Sequence, residues 1–274
     1  MKNFKTLFTF LFFGIFAASC SGQIRTTFVE PNKIFFEKTD YGLIFTNIRV
    51  NDKDVKAMID FGDQHKLQLS STLIDQLNIE TEKAGYQVSD VYGNNWDVKN
   101  GTAQKLVVGT CEENNVEFSS QDGEMESVSQ QIGTEFNAVL GWGYFKKYHT
   151  EIDYSASLFT LYDGKITIEN EVFSVQFQKE ANQLIIPAII DNHKVNFMID
   201  TGSPVTVVDS LELQKIDNQD FVFSIGGEEF KIKAYPQDLS VLADLGIKCI
   251  LGGDFLKNWK IIIDPEHNVL HFKK

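Results

Sequence analysis

Cysteine is scarce: Cys20, Cys111 and Cys249 are the three in 274 residues. If Cys20 belongs to a leader, two thiols cannot build a disulfide framework across so long a chain. Two buried thiols are the favoured reading of Cys111 and Cys249, although an oxidising compartment would permit a bridge. Basic residues are also few, 25 against 38 acidic, for a net charge of −13. That balance argues against nucleic acid as a partner and against charge-driven adhesion to anionic lipid. No long amphipathic helical period follows residue 20, which leaves a mostly β class. H-E-x-x-H, G-x-S-x-G and phosphate-loop strings are missing, so zinc hydrolases, serine hydrolases and nucleotide enzymes have no starting point. His267 and His271 lie four apart without a Cys or acid cluster to complete a metal set, and read as solvated strand histidines. No metal and no cofactor is expected.

The first twenty residues are apolar in a way the rest is not. Lys2 and Lys5 precede an apolar core from Leu7 to Phe16, then Ala17-Ala18-Ser19-Cys20. The segment is too short and wrongly flanked for a spanning helix and reads as an export signal over 1–19. The position of Cys20 resembles a bacterial lipoprotein signal, with the cysteine lipidated and holding the protein on a membrane. Ordinary cleavage with release, and a retained anchor, are the alternatives. Loss of Lys2 and Lys5 with the leader takes the net charge to −15. The localisation expected is exported, on the periplasmic side or cell surface of a bacterium.

The chain repeats itself. "IFTNIRVNDKDVKAMIDFGD" (44–63) and "LIIPAIIDNHKVNFMIDTGS" (184–203) align at an offset of 140. Both read as strand, tight polar turn, strand, then acid-X-Gly, with Asn51-Asp52 and Asp191-Asn192 in the turns. Asp60 and Asp200 fall at equivalent places. A second block, "AVLGWGYFKKYHTEIDYSASLFTL" (138–161), aligns with "CILGGDFLKNWKIIIDPEHNVLHF" (249–272) at an offset of 111. Two blocks recurring in one order indicate an internal duplication. Short helical turns are expected at 70–79 and 252–259. Between acid and second block the first copy is 29 residues longer, and a polar, aromatic hairpin around Gly93-Asn94 falls there.

Together, "MIDTGSP", "CILGGDFLKNWKIIID" and the tandem copies resemble the aspartic proteases, in particular the retropepsin-like and pepsin-like group exported by bacteria. The resemblance implies a mostly β, two-lobed fold. Each lobe would be a small closed or partly open β-barrel, with the active-site cleft between lobes. The lobes would comprise residues 20–165, with a flap, and 166–274. Asp60 and Asp200 would be the catalytic acids. Gly62, Thr201, Gly202 and Ser203 would support them, Thr201 through a hydroxyl bond across the lobe interface. Gly141 and Gly252 would pack beneath the two acid turns. Tyr92, Gly93 and Trp96 would belong to the flap over substrate. One chain brings both acids, so a monomer acting on a protein or peptide is implied.

Adjacent carboxyls cannot both ionise cheaply, so they share a proton; one then takes a proton from water while the other protonates the substrate carbonyl. The first copy departs from the pattern. Phe61 stands in the Thr position, and Asp63 stands in the Ser position beside His65. Asp63 would either raise the proton affinity of the dyad or turn into solvent, and His65 is a candidate for tuning pH response. The polar run "FGDQHKLQL" suggests a reshaped first turn. Three readings therefore stay open: an active aspartic endopeptidase, a weak or inert relative that binds extended peptides in the cleft, and a structural β-protein.

Overall fold

Two Asx pairs set the register of the duplicated hairpins. Asn51-Asp52 have φ of 48° and 65°, and Asp191-Asn192 have 48° and 63°. Side-chain residues tolerate this left-handed geometry best when they are Asn or Asp, and it matches the twist of paired strands. Strand Ile44–Val50 thereby pairs with Lys53–Asp60, and Ile185–Ile190 with His193–Ile199. The computed structural model describes residues 30–89, 95–164, 166–178, 182–213 and 220–274. The leader 1–19, Cys20, Tyr92 and Gly93 lie outside the described residues.

Beyond each hairpin, both copies make the same crossing. The first acid strand runs parallel to Ala138–Gly141, with Ile59 opposite Leu140 and Asp60 opposite Gly141. The chain then returns antiparallel on the other edge of that strand as Leu67–Leu69, with Leu67 also opposite Leu140. In the second copy Ile199 lies opposite Leu251 and Val207 opposite Ile250. Each acid turn is thus a loop whose two legs straddle a glycine-ended strand.

The fold is mostly β and two-lobed, and each lobe contributes one acid turn. In the first lobe an eight-stranded sheet folds back on itself. Asn95–Val108 pairs with Ile44–Val50, Arg49 opposite Val107 and Val50 opposite Leu106, which closes a barrel. In the second lobe a seven-stranded sheet curls without closing. There the strand equivalent to the continuous Cys111–Gln121 is split at Ala234 into Glu228–Lys233 and Tyr235–Gln237. Pro236, which has no amide hydrogen to donate, sits in the edge strand, as such a residue must.

A third sheet takes three strands from each half, in the order Asn32–Phe35, Leu158–Tyr162, His149–Asp153, Lys260–Asp264, Val269–Lys273, Phe173–Gln176. Its central rung joins the halves, with Ile152 opposite Ile261 and Asp153 opposite Lys260. Lys260 Nζ reaches Asp153 at 2.7 Å and Glu151 at 3.3 Å.

The expected short helices occur at Ser71–Leu77 and Gly253–Leu256. Helix Glu124–Ile132 was not anticipated. It is bounded by Gly123 and Gly133, both at positive φ, and presents Met125, Val128 and Ile132 to Phe45, Met58, Phe136 and Val139. The Gly-bounded apolar spacing of 125, 128 and 132 carried that signal. In the second lobe the 3-10 turn Ser240–Leu245, with Leu239 and Leu242, covers the equivalent Ile185, Met198 and Ile250. Among the described residues no helix is long and apolar enough to cross a membrane.

Ile261 is 1% exposed at the centre of the sheet that unites the lobes. Ile261→Ala is expected to cost about 2–5 kcal/mol, read as a lower urea midpoint with little change in slope.

Candidate active site

The acid turns are built alike, atom for atom. Gly62 and Asp63 donate backbone N–H bonds to Asp60 Oδ1 at 2.8 and 3.2 Å. Gly202 and Ser203 donate to Asp200 Oδ1 at 2.8 and 3.1 Å. Their carbonyls in turn receive the first amides of the short helices: Trp142 N–H meets Asp63 O at 2.7 Å, and Gly253 N–H meets Ser203 O at 2.8 Å. The polar composition of 61–69 therefore does not reshape the first turn, contrary to expectation. Backbone bonds define the loop, and side-chain polarity leaves them intact.

Reciprocal contact brings the two turns together. A Cβ placed on Gly62 would lie 2.6 Å from Asp200 Cγ, and one on Gly202 would lie 2.4 Å from Asp60 Cγ. Only hydrogen at those positions lets each carboxyl rest on the opposite lobe's turn. The carboxyls of Asp60 and Asp200 are thereby brought close enough for each to act on the other's proton affinity. Gly141 and Gly252 lie under the turns, where a Cβ would come within 2.3 Å of His65 O and 2.4 Å of Val205 O.

Thr201 is fully buried and grips the other lobe twice. Its hydroxyl donates to Ile59 O at 2.8 Å and accepts from Phe61 N–H at 3.1 Å. Phe61, in the symmetric position, is 1% exposed and contributes an aromatic ring instead. The ring meets Trp142 and Phe145 edge-on, with centroids 5.7 and 5.1 Å apart. Ser203 supports Asp200 through its backbone only. Its hydroxyl donates to Val205 O at 2.8 Å rather than to the carboxylate.

Burial, and then the charges of Asp200 and Asp63, hold Asp60 well above the usual carboxylate range. Burial raises Asp200 as well, but the bond from Asp60 and the amides of Gly202, Ser203 and Gly62 pull it back. Both acids are thus held above the ordinary range as a pair, and Asp60 has beside it a second carboxylate, Asp63, where Asp200 has Ser203. Tyr154 went unnoticed in the sequence. It is 1% exposed, burial and the Asp200 charge raise its hydroxyl, and that hydroxyl has no hydrogen-bond partner among the described residues. The only hint was that the duplicated Ile-Asp pair is followed by Tyr154 in one copy and Pro265 in the other.

Trp96 occupies the rung opposite Val88 in the hairpin Thr81–Ser89/Asn95–Val108 and is half-buried. Asn94 joins Tyr92 and Gly93 outside the described residues. A polar groove of about 1820 Å³ runs along the first lobe, lined in part by His65, Lys66, Thr81, Asn100 and Ser119, and neither acid borders it. Cys111 and Cys249 are free and buried. His267 is exposed and bonds Asp264, whereas His271 is largely covered and bonds Glu171, so only the first matches the solvated reading. Among the described residues no cluster of three or more His, Cys, Asp or Glu could hold a metal ion.

With the geometry in place, the comparisons fall on the half with the weaker motif. The family model described as aspartyl protease matches residues 46–142. That stretch contains Asp60, the hairpin at 81–108 and Gly141; the D-T-G of the second half lies beyond it. No curated protein matches the chain.

Two outcomes follow from this geometry. Phe61→Thr is expected to lose about 3–5 kcal/mol on chemical denaturation, since a buried ring is removed and a hydroxyl put in its place. Asp60 binds its proton more tightly folded than unfolded, so its contribution to stability falls as pH rises from the unfolded carboxylate range through the folded value. Asp60→Asn should therefore raise Tm at pH 7 and leave it little changed at pH 3, by parallel thermal melts.

Proposed function

We propose that the protein is an aspartic-type endopeptidase that hydrolyses peptide bonds with a water activated between Asp60 and Asp200. The observation that supports this most strongly is the carboxyl pair, one acid from each half, set on reciprocal glycines. The aspartyl protease match over residues 46–142 supports the same chemistry in general terms.

The steps balance with one proton on the pair. Asp200, ionised, takes a proton from water as the oxygen attacks the scissile carbonyl carbon, and Asp60 gives its proton to the carbonyl oxygen. A tetrahedral diol results, with Asp60 now ionised and Asp200 protonated. Asp200 then protonates the amide nitrogen, Asp60 recovers a hydroxyl proton, and the C–N bond breaks. The two amides on each Oδ1 fix the carboxyl planes throughout, where misplacement by about 1 Å would cost on the order of a hundredfold.

The partner in this reading is an extended protein or peptide segment. Its hosts in this proposal are the space between the lobes and the segment that carries Tyr92, Gly93 and Trp96. A single chain suffices, since it carries both acids. The leader and Cys20 support an exported, lipid-anchored protein on the periplasmic side or cell surface of a bacterium. Phe61 favours one alternative, a cleft that binds peptides without turning them over, because the hydroxyl grip on the dyad comes from Thr201 alone.

Cleavage of an unstructured protein across pH 3–8 tests the reading. The native chain should turn substrate over and be blocked by a hydroxyl-bearing transition-state mimic. Asp200→Asn should lower kcat by about a hundredfold or more. Undiminished hydrolysis in that variant would rule the mechanism out, and saturable binding without turnover in the native chain would select the binding reading.

A further inference from the structure

The duplication supplies an internal control for each dyad acid, and three residues beyond each acid the two copies differ in charge. Next to Asp200 stands Ser203, a neutral residue whose hydroxyl closes onto Val205 O at 2.8 Å. At the equivalent place beside Asp60 stands Asp63, a carboxylate that closes back onto its own turn. Asp63 Oδ1 accepts from the His65 backbone N–H at 3.0 Å and meets His65 Nδ1 at 2.7 Å. The Asp63 side chain is only 8% exposed. Its other oxygen, Oδ2, is buried against Gly141 and has no hydrogen-bond partner among the described residues. A negative charge is thus fixed three residues from Asp60, and what stands against it is the imidazole of His65.

We propose that Asp63 and His65 form a positioning couple that keeps the dyad's shared proton on Asp60 as the pH rises toward neutrality. The proposal deepens the peptidase reading and rests on it. While the imidazole is protonated, its charge offsets that of Asp63, and Asp60 is repelled chiefly by Asp200. When the imidazole loses its proton, the bare Asp63 charge adds to that of Asp200, and Asp60 gives up its proton less readily. The dyad then stays singly protonated, its working state, to a higher pH than two acids flanked by hydroxyls would allow.

The surroundings leave this control to the couple. Among the described residues the charges acting on His65 are those of Asp63 on its own turn and Glu124 at the start of helix Glu124–Ile132. Burial works against the imidazolium, but the bond to Asp63 and the charges of Asp63 and Glu124 outweigh it and raise its proton affinity. Lys66, next in the chain, is turned to Glu113 on strand Cys111–Gln121, which Lys147 also engages. Asp60 faces Asp200 and Asp63, and Asp200 has the neutral Tyr154 hydroxyl near it. Neither Asp63 nor His65 needs to touch substrate.

Two near-isosteric variants of the full chain separate the effects by sign. Asp63→Asn removes the charge and keeps an acceptor for the His65 amide; His65→Gln keeps a donor for Asp63 and removes the titration. The upper titration midpoint of the dyad is read by carboxyl carbon-13 NMR, and the basic limb of kcat/KM by peptide cleavage. Asp63→Asn should move both to lower pH by about one unit, and His65→Gln should move both to higher pH by about half a unit. Midpoints unmoved in both variants, or moved in the same direction, would overturn the proposal. If Asp63→Asn fails to fold by circular dichroism, the upward shift in His65→Gln decides alone, and its absence overturns the couple. The NMR shifts without any peptide cleavage would sustain the couple and remove the peptidase reading. Cleavage with stationary midpoints would do the reverse.

Discussion

Each acid rests on the glycine of the opposite turn, and nearly everything else in the molecule serves that contact. With no Cβ at Gly62 or Gly202, the carboxyls of Asp60 and Asp200 come to lie against one another. Two full charges about 4 Å apart in an environment of effective dielectric near 20 would repel by roughly 4 kcal/mol. Burial penalises each charge as well, so a second ionisation is opposed by desolvation and by repulsion together. Retaining a proton on one member is the lower-energy solution. The straddled strands, the helix amides on the turn carbonyls and the shared sheet hold the geometry that forces this choice.

The halves have kept the backbone of the site and exchanged its side chains. Thr201 alone supplies the hydroxyl grip, bonding both Ile59 O and Phe61 N–H, while Phe61 anchors its turn by packing against Trp142 and Phe145. One turn is thus tied by polar bonds and the other by an aromatic cluster. The closed barrel of the first lobe and the open sheet of the second show the same divergence at larger scale. Asymmetry in the scaffold becomes asymmetry in proton affinity, since Asp60 lies beside a carboxylate and Asp200 beside a hydroxyl.

The sheet that joins the halves explains how two separately hydrogen-bonded lobes keep their acids in register. Its inner strands follow directly from the short helices that clamp the turns, at Trp142–Phe145 and Gly253–Leu256. Ile152 opposite Ile261 and the Lys260 ion pairs fix that rung, so displacement of one lobe would strain a buried ladder before it separated the carboxyls.

Sequence alone determined the duplication, the Asx hairpins, the two acids and the glycines around them, because these depend on local backbone conformation and on short periods that recur at fixed offsets. It did not reveal helix Glu124–Ile132, whose Gly boundaries were legible but whose apolar stripe is too short to stand out. Tyr154 was beyond its reach, since proximity to Asp200 arises from strands paired across a hundred positions. The partners of Thr201, the inward turn of Asp63 onto His65, and the packing of Phe61 were likewise decided only in the tertiary structure. Those are contacts between segments brought together by folding, and a residue's type records what it can bond to without recording which neighbour the folded chain will place in reach.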